Sequence, residues 1–298
     1  MYNLILFEFV LLRRKRYNFE KSRIMEVNQM NSETNGFSKY LVIFVDILGS
    51  QDKTDFKETY KINKIFHEEL EKNKENDMEH TVYFRKIYSF SDCAYIFYGF
   101  KDEISDERKI ESELFKVALC NCEPIFLRFI KERILFRGGI AYGDAYVDPS
   151  KSMFFGDAVN RAYKLESEVA IHPRIVIEDM IAEQVLENIK EIKYKVLARN
   201  SEYMNYVVRG LEPKMPEIGE GIIERDVDGK FIFNYFHFPE NNIIVPNYYL
   251  DSENFIKEIL AFCDEQIEKL TKYKVIDKYF YLKRFAQVKL DNFLFSVR

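Results

Sequence analysis

The sequence predicts an α+β fold, with helices laid on one face of a sheet. Three observations predict it. Short aromatic and β-branched runs are interleaved with amphipathic stretches in the order β-α-β-β-α-β, followed by βαβ-like additions. The first run, YLVIFVDIL at 40–48, is apolar but for one acid near its end, the pattern of a strand buried on both faces. The chain holds 27 Phe and 20 Tyr but no Trp, enough rings for a thick core and for stacking surfaces. That element order is the ferredoxin-like type, here with a C-terminal extension of mixed strands and two helices.

Each element has its own signal. Gly49 ends the first strand. Residues 53–76 carry Phe56, Tyr60, Ile62, Ile65, Phe66 and Leu70 at three- and four-residue steps among Lys and Glu, which predicts a helix. TVYFRKIYSF at 81–90 and CAYIFYGF at 93–100 are β-prone, and Ser91-Asp92 between them reads as a hairpin turn. Residues 106–132 form a long helix, broken or kinked near Pro124. ILFRGGIAY at 134–142 is a strand, Gly143-Asp144 a turn, and a short strand reaches Phe155. Residues 157–170 and 179–190 are helical, with the strand RIVIE at 174–178 between them. Further on, YMNYVVRG (203–210) and KFIFNYF (230–236) read as strands, EPKMPEIGEG (212–221) as a surface loop, and 252–272 with 274–294 as a helix pair.

Composition excludes several function classes. Lys plus Arg number 44 against 49 Asp plus Glu, a net charge of -5 that argues against a nucleic-acid binder but leaves room for a local basic pocket. Cys93, Cys120, Cys122 and Cys263 match neither a zinc knuckle nor a disulfide framework and read as reduced core thiols of a cytoplasmic protein. HExxH, GxSxG and P-loop motifs are absent from the sequence. Residues 1–38 read as a flexible leader. Their apolar start is too short to span a bilayer, and the Arg13–Arg16 basic run follows it instead of preceding it as in a signal peptide. A membrane-surface anchor, or translation from Met25 or Met30, are the other readings. The folded domain starts near Lys39 and runs to about residue 190.

Four segments carry candidate chemistry. Asp46 ends a buried run, where a carboxylate is expensive unless a metal or hydrogen bond compensates it. Capping of the following turn is the plainer alternative. Asp92 sits in the hairpin turn of SFSDC, where an Asp also serves simply as a turn residue. If the first and third strands pair antiparallel, the two acids converge and suit a pair of Mg²⁺ or Mn²⁺ ions. Arg137 precedes Gly138-Gly139, either a surface cation or one aimed at phosphate oxygens, with glycines that let a substrate approach. Asn160 and Lys164, four apart in FGDAVNRAYKLES, share one helix face, either solvated or placed to orient a ribose and neutralise phosphate charge.

The order FVDILG, SFSD, FRGGIAYG, FGDAVNRAYKLE over residues 40–180 resembles the catalytic domain of class III nucleotide cyclases. The resemblance implies attack of a ribose 3'-hydroxyl on the α-phosphate of a nucleoside triphosphate, with release of pyrophosphate. It implies two divalent metal ions (Mn²⁺ or Mg²⁺) held by Asp46, Asp92 and the carbonyl of Ile47, and triphosphate contacts from the turn Leu48–Gln51 and from Arg137. It implies that Asn160 orients the ribose, and that Lys164 stands where the family has a transition-state arginine. Lys keeps that charge without the fork geometry, and Arg161 is the neighbouring cation that would partly compensate. It also implies a homodimer whose active sites take residues from both chains.

The base-reading positions depart from the purine cyclases. Where adenylyl cyclases carry Lys and Asp, this sequence has Tyr88 and Met153. Phe44, on the same strand face as Asp46, adds a further wall. Bulk at these points suits the smaller pyrimidine ring. The sequence thus looks like the pyrimidine cyclases of bacterial Pycsar anti-phage systems, which make cyclic UMP or cyclic CMP for a cyclic-nucleotide-responsive effector. A purine cyclase with an unusual pocket, an inactive cyclase-homology nucleotide-binding module and a structural dimerisation module are the alternatives.

Overall fold

The structure is a computed structural model that describes residues 36–50, 55–74, 81–148, 151–198, 221–240 and 251–296. The leader up to residue 35, the strand expected at 203–210 and nearly all of the loop expected at 212–221 lie outside the described residues. The chain separates into Met1–Ser38 and Lys39–Arg298, and the second unit holds the fold. Its elements are β1 (Ser38–Ile47), α1 (Phe56–Lys72), β2 (Tyr83–Phe90), β3 (Cys93–Phe100), α2 (Glu111–Lys131), β4 (Phe136–Asp148), β5 (Met153–Gly156), α3 (Asp157–Lys164), β6 (Ile175–Ile177), α4 (Asp179–Ala198), β7 (Ile223–Arg225), β8 (Phe231–Phe233), α5 (His237–Glu240), α6 (Ser252–Lys269) and α7 (Tyr273–Ser296).

The strands form one mixed sheet in the order β2-β3-β1-β4-β6-β8-β7, with β5 paired to β4. The first four therefore lie in the order 2-3-1-4, with α1 and α2 as the crossovers, which is the α+β arrangement expected. Strand alternation splits β1 between two cores. Leu41, Ile43, Val45 and Ile47 join the large core with Phe66 and Leu70 of α1 and with Phe115, Phe126 and Phe129 of α2. Val42 and Phe44 face the other way, into a smaller cluster with Cys93, Tyr95 and Phe97 and with Ala158, Val159 and Ala162 of α3. One sheet face is thus thickly covered. The other is partly covered, and it is the face that carries Asp46.

Local expectations are corrected in three places. Gly143-Asp144 does not turn the chain, because β4 runs through it to Asp148 and pairs antiparallel with β5 from Ala145 onward. Gly143 lacks a side chain for another reason: a Cβ there would lie 2.6 Å from the Arg161 guanidinium. Helix α2 begins at Glu111 and continues through Pro124. Gly138 and Gly139 admit neighbouring backbone and not a substrate. A Cβ on Gly138 would lie 2.5 Å from the Phe44 carbonyl oxygen, and one on Gly139 would collide with the Ala162 carbonyl and sit 2.6 Å from Leu165 Cβ.

The C-terminal segment is joined to this core. β8 pairs with β6, and α6 and α7 pack Phe255, Ile256, Ile259, Leu282, Ala286 and Leu290 into the large cluster. Asp251 caps α6 by accepting from the Asn254 amide at 3.2 Å. Buried Arg174 reaches Asp226 at 2.6 Å and Asp228 at 2.7 Å. Among the described residues, no helix is long and apolar enough to cross a membrane.

Gly139→Ala is expected to lower the unfolding free energy by about 1–3 kcal/mol through overpacking. Urea titration checks this as a lower midpoint with an unchanged slope. A midpoint equal to that of the unsubstituted protein would contradict the close approach of β4 and α3.

Candidate active site

The site forms where β1 ends. β1 and β3 pair antiparallel with Asp46 opposite Cys93, so Asp46 lies beside Asp92 in the β2–β3 turn. The Ile47 amide donates to the Asp92 carbonyl at 2.9 Å, which ties the two segments together. Ser91 takes a left-handed φ of 50° to close the two-residue turn. His67 of α1 braces that turn: Nε2 donates to the Ser91 carbonyl at 2.6 Å, and Nδ1 lies 3.1 Å from the Ser89 hydroxyl. The Ser50 hydroxyl donates to the Asp92 carboxylate.

Arg137 enters from β4, the strand on the other side of β1. Its Nε lies 3.6 Å from Asp46 Oδ2 and 2.5 Å from Glu166 Oε1. Glu166 is buried and belongs to a π-helical turn, Leu165–Val169, that continues α3. Such turns re-aim side chains that a regular helix would place elsewhere. Burial, and then the neighbouring Asp92, push Asp46 up to about 6. Burial also lifts Glu166 to about 7, against the lowering pull of Arg137, and Asp46 raises it further. Interaction with Glu166 lowers Asp46, and the same contact raises Glu166. Asp92 goes the other way: burial raises it, but hydrogen bonds from Ser50, Ser91 and its own amide hold it below the usual carboxylate range.

Phe44 lies on the same face of β1 and packs on Tyr95 at 4.4 Å and Tyr163 at 5.6 Å between ring centroids. Tyr88 packs on Phe97 at 5.7 Å and Phe154 at 5.2 Å. It opens onto a cleft of about 630 Å³ that Lys74, Lys86, Phe90, Ser152 and Phe154 also line. The Tyr88 hydroxyl is buried with no hydrogen-bond partner among the described residues. Burial, with Tyr40 and Asp148 nearby, pushes it up to about 12, so it stays a donor. Met153 alternates away, 40% exposed, and its neighbour Phe154 is the residue that meets Tyr88.

The structure thus brings Asp46, Asp92 and Arg137 together, with Phe44 beside them. It does not bring Asn160 or Lys164 to them within one chain. Both are exposed on α3, and neither bonds to the acids or to Arg137. Arg161 is committed elsewhere, to Asp157 at 2.7 Å, to Glu178 and to the Tyr142 carbonyl at 2.7 Å, so it does not stand in for Lys164. In the turn Leu48–Gln51, the Leu48 amide is taken by the Leu135 carbonyl at 2.8 Å, and Gln51 lies outside the described residues. Sequence reasoning missed Glu166, His67 and Phe154, and placed Ser50 only as part of the turn Leu48–Gln51. Glu166 is the last letter of the NRAYKLE stretch, and period-two alternation about Met153 points to Phe154.

Among the described residues, no cluster of three or more His, Cys, Asp and Glu side chains is arranged to hold a metal ion. Asp46 and Asp92 fit a different kind of site. They repel one another in a half-buried setting, and a hard divalent cation that keeps water and phosphate oxygens as its other ligands needs no more than one or two carboxylates.

No protein-family model matches the chain. No curated protein matches it either. Among solved structures, it is similar to the catalytic core of a rhodopsin-guanylyl cyclase with converted specificity in complex with ATPαS. The identity is 18%, the match covers 50% of this chain and 82% of that one, and the TM-score is 0.35.

The folded state holds the Asp46 and Glu166 protons more tightly than the unfolded chain does. Their contribution is full at low pH and is lost as pH rises through about 6 and about 7. In chelator, stability is expected to fall from about pH 4, the ordinary carboxylate range, to about pH 7. Arg137→Ala is expected to steepen that fall and to cost about 3 kcal/mol at the alkaline end, where two carboxylates lose their neighbouring cation. Urea midpoints across this range check both. A flat profile in the unsubstituted protein would contradict the raised values.

Proposed function

We propose that this protein is a nucleotide cyclase that converts a pyrimidine nucleoside triphosphate, UTP or CTP, to the 3',5'-cyclic nucleotide and pyrophosphate. The observation that carries the reading is the convergence of Asp46, Asp92 and Arg137 at one strand end, from three motifs that follow one another in cyclase order. Asp46, Asp92 and the Ile47 carbonyl would hold divalent cations, which when bound lower the charge on the reacting phosphate and favour the alkoxide.

The step is an in-line displacement. The ribose 3'-oxygen forms a bond to the α-phosphorus, the bond from that phosphorus to the bridging oxygen breaks, and pyrophosphate leaves. The 3'-hydroxyl proton passes to solvent. Arg137 binds phosphate oxygens, and Glu166 fixes its guanidinium. Asn160 and Lys164 act from a second copy, orienting the ribose and neutralising charge that builds on the phosphate. Their exposure on α3, unbonded to the acids of their own chain, supports that division. Tyr88 and Phe154 wall the base cleft, and the unpartnered Tyr88 hydroxyl supplies a hydrogen bond to a pyrimidine edge. On the motif resemblance, the product is a messenger for a cyclic-nucleotide-responsive effector in anti-phage defence.

Incubation with each of the four nucleoside triphosphates plus Mn²⁺, read by mass spectrometry, is expected to yield cyclic UMP or cyclic CMP and little purine product. Efficient turnover of ATP or GTP alone would overturn the pyrimidine assignment. Asp46→Ala or Asp92→Ala is expected to reduce the rate about a thousandfold or more. Substantial activity in either would end the metal assignment.

Mixing Asp46→Ala with Asn160→Ala protein is expected to restore activity if the two chains share sites. A dead mixture in which heterodimers are demonstrated would sink the shared site. Tyr88→Ala is expected to erode pyrimidine selectivity more than metal dependence, measured as the ratio of kcat/KM for UTP and ATP.

A further inference from the structure

Helix α7 is apolar on two faces. Tyr281, Leu282, Phe285, Ala286, Leu290 and Phe293 are buried. On the opposite side Tyr273, Phe280, Val288 and Phe295 are exposed, Phe295 by 85%. Steps of seven and eight residues set these four on one stripe, and Arg284 and Asp291 lie on the same stripe between them. A surface helix ordinarily turns a polar face to water, and apolar residues all round are the pattern of a covered helix.

The stripe is self-complementary. The midpoint of Phe280 and Phe295 falls between Gln287 and Val288, and so does the midpoint of Arg284 and Asp291. A second copy laid antiparallel about a two-fold axis at that point sets Arg284 against the partner's Asp291, Phe280 against the partner's Phe295, and Val288 against the partner's Val288. Asp291 accepts a hydrogen bond of 2.9 Å from neutral Gln287 of its own helix. Arg284 reaches Asp226 at 3.4 Å and is still 51% exposed. A register centred beside Phe280 would set Asp277 against Arg284. Asp277, however, is already bound to His172 at 2.9 Å, and that register leaves Phe295 uncovered.

The face is separate from the candidate active site. α7 packs into the large core, whereas α3, which bears Asn160 and Lys164, packs into the smaller cluster on the other face of β1.

We propose that the outer face of α7 is a self-association surface, on which a second copy of this chain pairs antiparallel about an axis between Gln287 and Val288. This pairing is distinct from the shared catalytic sites and stands whether or not the protein is a cyclase. Where shared sites also form, it joins dimers into tetramers or chains.

The experiment uses the full chain. Val288→Cys, oxidised and run without reductant, is expected to give a covalent dimer that the unsubstituted protein does not, because position 288 meets itself at the axis. Phe280→Cys is expected to give none, since position 280 of the partner lies about 22 Å away along the pair. Sedimentation equilibrium reads the strength of the pairing. Asp291→Arg is expected to weaken it about tenfold or more, because two like-charged contacts replace two opposite ones, and adding Arg284→Glu is expected to restore it. Phe295→Ser is expected to weaken it by a similar factor, with the thermal midpoint of dilute protein unchanged because the ring is exposed. No covalent dimer from Val288→Cys, one from Phe280→Cys alone, or association indifferent to both Asp291→Arg and Phe295→Ser would each overturn the surface. Flotation of the chain with phosphatidylcholine vesicles that Phe295→Ser abolishes would give the face to a lipid surface and overturn it too. The mixture of Asp46→Ala with Asn160→Ala protein reads the shared site alone, so the two pairings fail independently.

Discussion

Asp46 stands opposite Cys93 in the antiparallel ladder of β1 and β3, and the rest of the site depends on that register. The side-chain period of a strand is two residues, so a slip of one would turn Asp46 into the large core and Phe44 away from its aromatic neighbours. The register is held by burial on both faces. Leu41, Ile43 and Val45 are fully buried on one side and Val42 on the other, so a slip would displace every one of them. The Ile47 amide and the Asp92 carbonyl close the ladder at the point where the two acids meet. His67 then clamps the turn from outside the sheet.

Gathering three carboxyl groups in a half-buried place is unfavourable, and the fold limits the cost in two ways. It separates their proton affinities: hydrogen bonds hold Asp92 below the usual carboxylate range, while Asp46 and Glu166 are raised, chiefly by burial. It also supplies one cation, Arg137, from β4, the strand beside β1 on that side. β4 can come this close because Gly138 and Gly139 have no side chains to strike the Phe44 carbonyl and the π-helical turn. The glycines thus serve the site indirectly, by letting the strand that bears Arg137 lie against β1 and the turn that bears Glu166 lie against that strand.

The C-terminal segment is bound to the core by buried charge as well as by apolar contact. Lys289 is 1% exposed and reaches Glu224 and Glu240, and Arg174 reaches Asp226 and Asp228. Pairs of this kind add little net stability but penalise any other arrangement strongly, because a misplaced partner leaves a charge buried alone. The Lys289 pairs fix α7 against β7 and α5, and the Arg174 pairs fix the turn between β7 and β8.

The sequence by itself determined the element order, the two acids, and the strand that carries Arg137, because these depend on local periodicity and on short motifs. Apolar alternation is a property of neighbouring residues, and so β1, the β2–β3 hairpin and α1 were legible from it. Only the tertiary structure decided which groups meet. Glu166 reads as one more acid on a charged helix until a π-helical turn carries it inward to Arg137. Gly143 reads as a turn until β4 passes through it, because pairing with β5 outweighs local preference. Arg161 reads as a spare cation until Glu178, 17 residues on, claims it. In each case the deciding partner lies on another element, and the energy of a contact between elements is written in no local pattern.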